Sequence, residues 1–139
     1  YLRDQAFDEQ RGGFGYQGKG YTIACTAGGV YAAQLAGNRD AEWVMAALDT
    51  LENEPKMFSR KDNGHFYYSH YYAMQAMVQA GEERYAKWYP KIRDSLIALQ
   101  QPNGSWKENR KNEQDYPHKT PMSIIILGTP NRYIPVYQR

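Results

Sequence analysis

The chain of 139 residues is 42% hydrophobic and 14% aromatic, which suits one folded domain with a real core and excludes an intrinsically disordered segment. Its formal charge of +2 comes without a Lys/Arg block, so no field is focused for nucleic acid. Lone Cys25 excludes an internal disulfide, and no apolar run nears the roughly 20 residues of a membrane span.

The first residues, Tyr1-Leu2-Arg3, show neither an initiator Met nor a signal peptide. The expectation is the C-terminal piece of a longer protein, with any targeting segment upstream. Residues 1–20 space their glycines too densely for helix or strand. The run Arg11 to Gly20 lacks the Gly-Lys-Ser/Thr ending of a phosphate loop and no apolar strand precedes it. It reads as a tight loop pinned to the body by Phe14 and Tyr16.

Tyr21 to Ala36 is apolar nearly all round, the pattern of a buried helix. Its small residues, Ala27, Gly28, Gly29, Ala32 and Ala33, permit close backbone approach at some cost in helix propensity. Gly37 suits the C-cap, and Asp40 the N-cap of a second helix to about Leu51. Trp43, Val44, Ala47, Leu48 and Leu51 fall on one face of that helix. Pro55 and Asn63-Gly64 break the chain into a loop over 53–64.

Tyr67 to Ala80 is a second apolar helix, ended by Gly81. Glu82 to Gln100 then places Tyr85, Trp88, Tyr89, Ile92, Leu96 and Leu99 on one stripe. Pro90 either kinks this helix or opens its second half. A turn at Gln101 to Ser105 and a polar loop over 107–119 follow. Thr120 to Leu127 is a short apolar element with Pro121 in its first turn, and the proline- and tyrosine-bearing tail 129–139 reads as extended and docked.

Gly37 and Gly81, 44 positions apart, end equivalent helices, and Ala32 matches Ala76 at the same offset. Each unit is a buried helix, a glycine turn and a one-faced helix. The hairpins cover about 21–52 and 65–101, with a cut-short third unit at 120–128. Such a period implies a repeat array, and the alternation implies two helical layers. The fold class is therefore all-α, a partial α/α array of helical hairpins with Gly-rich loops.

Gln100, Gly104 and Trp106 fit the Gln-x3-Gly-x-Trp motif of squalene and oxidosqualene cyclases, and Gly12-Gly13-Phe14 resembles the opening of repeats in those cyclases and in protein prenyltransferase β subunits. The segment Pro130 to Arg139 resembles the C-terminus of bacterial prenyltransferase/squalene-oxidase-repeat proteins. The resemblance spans most of the chain in repeat form. It implies an α/α toroid around a central cavity, of which this chain forms about half. In the cyclases the Gln/Trp motif is a structural clasp, its Gln bonding a helix end and its Trp stacking on the turn.

The family's chemistry carries over only in part. The acidic Asp-x-Asp-Asp motif of the cyclases has no match here. Of the zinc ligands of prenyltransferases, the cysteine falls on Cys25, but the aspartate falls on Ile23 and the histidine on Ser69, beside His70. No metal site or cofactor is expected, and Cys25 reads as a small buried packing residue.

His70 is the best polar candidate, either a general base or polar anchor in an aromatic cavity, or a buried imidazole bonded to a carbonyl or phenol. Tyr67, Tyr68, Tyr71, Tyr72 and Met74 either line a cavity for an apolar ligand or fill a core. Two functions from different classes follow. One is a binding or structural module that holds an apolar ligand, or completes its ring with the rest of its polypeptide or a second copy. The other is the C-terminal half of an isoprenoid-processing enzyme with its acid upstream. A half-ring exposes the apolar sides of its first and last inner helices.

Overall fold

The computed structural model describes residues 1–107 and 117–131. Five α-helices dominate: α1 (Ile23–Leu35), α2 (Glu42–Asn53), α3 (Phe66–Ala80), α4 (Glu82–Leu99) and α5 (Lys119–Gly128). Their pairing makes two layers. The first helix of each hairpin stands beside the next, α1 against α3 and α3 against α5. The second helices cover this row from one side, α2 on α1 and α4 on α3 and α5. The all-α expectation holds, with a row of helices that has two faces and a second layer on one of them.

The covering helices are built from one-faced sequences. In α2 the buried residues are Val44, Ala47, Leu48 and Leu51; in α4 they are Trp88, Ile92 and Leu96. Their polar faces meet at Arg84, which binds Asp49 at 2.7 Å and Glu52 at 2.9 Å. α4 runs unbroken through Pro90, so the proline neither ends the helix nor opens a second one.

The two hairpin glycines differ. Gly37 (φ +88°) sits in a Schellman turn, where the amide of Asn38 reaches the Ala33 carbonyl and the amide of Gly37 that of Gln34. Gly81, with φ 111° and ψ 169°, is at once the end of α3 and the cap of α4, a backbone shape essentially confined to glycine. α2 is capped at Ala41 with no side-chain bond, so Asp40 does not serve as its N-cap. The peptide turning out of the Schellman loop sets the helix start one residue later.

The first twenty residues hold more structure than their glycines suggest. Leu2–Ala6 forms a π-helical turn, and β1 (Phe7–Asp8) pairs antiparallel with β2 (Gly13–Phe14). The Asp8 carboxylate accepts bonds from the amides of Gln10 and Arg11 and so satisfies the turn that the glycines open. Phe14 is buried and packs with Phe7 and Trp43 at centroid distances of 5.4 and 6.0 Å. Its ring lies flat on Gly29, where a Cβ would come within 2.7 Å of it. Tyr16 is 81% exposed and pins nothing.

The Gln/Gly/Trp turn works in a different way from the expected clasp. Gln100 Nε2 donates to the Gly104 carbonyl within the turn itself, at 3.1 Å. Trp106 makes the helix-end bond, with Nε1 donating to the Leu96 carbonyl at 2.8 Å, and its amide reaches Thr120 Oγ1 at the start of α5. Thr120 belongs to a full helix that begins at buried Lys119, which the sequence assigns to a loop. The tail beyond Asn131 lies outside the described residues.

Candidate functional site

α1 does not bury its whole circumference. Thr26, Ala27, Gly29, Val30, Ala33 and Gln34 face the body. On the other side a stripe at helical spacing remains open: Ala24, Gly28, Ala32 and Leu35, the last 57% exposed. The all-round apolar pattern predicts burial, but the second layer lies on one side only. Tyr68, 40% exposed, continues this open side on α3, and on α5 Ile124 is 57% exposed.

The π-helical turn and β2 wall off the N-terminal end of the stripe. They border a cleft of about 520 Å³ that stays open to solvent on one side, within the usual volume range for small-molecule sites. Ala24, Cys25, Gly28 and Ala32 of α1 form one side, Leu2 and Phe14 another, and Tyr68 and His65 of α3 and its cap a third. Exposed Tyr1 and Tyr16 stand at its rim. A Cβ added at Gly28 would meet no atom within 4 Å, so the glycine leaves open space where any side chain would intrude. Cys25 packs against the core as expected, but it is only half-buried and also borders this cavity.

The tyrosines divide between this face and the core. Tyr68 and Tyr72 lie 4.8 Å apart, Tyr72 lies 5.0 Å from Tyr71, and Tyr31 of α1 joins them at 6.2 Å from Tyr72. Burial, and then the neighbouring Tyr72 phenol, raises the pKa of Tyr68. Burial, and then Tyr71 and Tyr72, raises that of Tyr31. Tyr31 and Tyr68 therefore present neutral phenols. Tyr67 and Met74 are fully buried instead, with the Tyr67 hydroxyl donating to the Lys107 carbonyl at 3.2 Å.

His70 also sits on the covered side. It is completely buried against Phe58, Phe66 and Trp88, with ring centroids at 4.9, 4.6 and 5.9 Å. Nε2 lies 3.1 Å from the Met57 carbonyl, so it carries the proton and donates. Burial drives its pKa down to about 3, against a weaker upward pull from that bond. The ring is a neutral strut between α3 and the loop before it, and it borders neither cavity.

A second, smaller cavity of about 260 Å³ opens on the other side of His65. Tyr21, Glu54, Lys56 and Asp62 face it, and Thr22, Ala24 and His65 border both cavities. The Tyr21 hydroxyl donates to Glu54 Oε2 at 2.7 Å, and burial followed by that carboxylate holds its proton firmly on. Sequence reading missed this group because its members come from three separate segments and share no local spacing. Among the described residues no three His, Cys, Asp or Glu side chains come together as metal ligands would, and no helix is long and apolar enough to cross a membrane. No protein-family model, curated protein or solved structure matches the chain.

Proposed function

We propose that the chain is an α/α-repeat binding module that carries an apolar ligand against the open side of α1 and α3. The observation that supports it best is the 520 Å³ cavity, whose side on α1 is made of Ala24, Gly28 and Ala32. Concave, mostly apolar hollows of this size are where proteins hold small molecules. Neutral phenols at the edge suit a ligand without charge along its length.

The hairpin order and the buried Phe14 after Gly12-Gly13 support placing the chain beside the prenyltransferase and squalene-cyclase repeats, as part of a ring. In that reading Leu35 and Ile124, at the two ends of the row, are covered by the remainder of the polypeptide or by a second copy. The function is binding, and His70 serves the fold.

The test is to fill the cavity without disturbing the core. Gly28→Leu projects a side chain into open space and replaces a mid-helix glycine, which stabilises a helix by roughly 1 kcal/mol. Calorimetry with decanol should show binding to the wild-type chain and a loss of at least about tenfold in the variant. The variant's unfolding midpoint should be unchanged or higher. A stable variant that binds decanol as well as wild type contradicts the proposal.

A further inference from the structure

The two cavities lie side by side, sharing Thr22, Ala24 and His65 in their linings, and they differ in chemistry. The larger is apolar on the side of α1. The smaller is bordered by two carboxylates, Glu54 and Asp62, and one ammonium, Lys56, with Tyr21 neutral between them. The Glu54 carboxylate accepts from the Tyr21 hydroxyl and, through Oε1, from the Lys56 amide at 3.0 Å. Asp62 Oδ2 accepts from Ser59 Oγ at 2.6 Å. A carboxylate has about four lone-pair positions, so these bonds orient both groups and leave acceptor capacity. With acceptors in excess and the charge balance negative, the smaller cavity favours a group that donates hydrogen bonds and disfavours an anion.

We infer that the ligand is an amphipath, with its alkyl chain along Ala24, Gly28 and Ala32 and a hydrogen-bond-donating head, a hydroxyl or an ammonium, beyond His65 among Tyr21, Glu54 and Asp62. The inference rests on the binding-module reading and names the class of ligand for that site. It sets this site apart from one built for a phosphorylated chain, which would require cations where the carboxylates stand. Thr22 and Ala24, bordering both cavities at the start of α1, mark where chain gives way to head.

The experiment is calorimetric titration of the whole chain with decanol, decylammonium and decyl phosphate below their aggregation concentrations. Decanol and decylammonium should bind at least about tenfold more tightly than decyl phosphate. Glu54→Gln should weaken decylammonium by about tenfold, the worth of one charge-assisted bond, and change decanol much less. Asp62→Asn, at a separate position in the lining, should act in the same direction and guards against a folding defect in the first variant. Decyl phosphate binding as tightly as decylammonium overturns the head assignment while leaving the cavity reading standing, as does indifference of decylammonium to both substitutions. If none of the three probes binds, the cavity reading itself fails, and this inference with it.

Discussion

At His70 the imidazole is sealed between Phe58, Phe66 and Trp88, and its pKa falls to about 3 while the unfolded chain titrates near 6.5. Above about pH 6.5 the ring is neutral in both states and its contribution is fully present. As the pH falls below that, the unfolded chain binds a proton that the folded chain refuses, and stability drops by at most about 1.4 kcal/mol per pH unit. Urea unfolding of wild type and His70→Gln between about pH 7 and pH 4 should show a steeper loss in the wild type. Equal slopes would mean that the ring is protonated inside the fold. The sequence set out both readings of this residue, catalytic and structural. Only the packing of Phe58 and Trp88, from outside the helix, separates them.

At the scale of elements, the helices were legible because the one-faced patterns of α2 and α4 are strong and the glycine ends of α1 and α3 are clear. What was not legible was which partner closes each end. Gly37 and Gly81 look alike in sequence, yet one makes a Schellman loop and the other joins two helices directly. Similarly, Gln100 was expected to reach a helix end, and Trp106 makes that bond instead. The indole thereby satisfies a carbonyl in the last turn of α4, while the backbone amide of the same residue ties the turn to α5 through Thr120. Trp106→Phe keeps most of the buried ring and deletes the bond. It should cost about 1–2 kcal/mol in chemical denaturation. A neutral effect would assign Trp106's contribution to packing alone.

For the whole molecule, the decisive fact is that α1, α3 and α5 form a row covered on one side. Apolar periodicity shows that a helix can be buried but not from how many directions. That is why α1 reads as wholly buried when Ala32 and Leu35 are open. The tyrosine cluster was visible as a candidate, but its division into Tyr68, Tyr71 and Tyr72 on the open side and Tyr67 in the core depends on helix rotation. One wall of the cavity is made by Leu2 and Phe14, from a segment whose glycines predict only turns. The most direct test of the binding account is a decanol titration followed by amide NMR. The account predicts shifts concentrated from Ala24 to Ala32 and at Tyr68, with α2 and the outer face of α4 silent. Shifts spread over those covering helices, or none at saturating decanol, would contradict it.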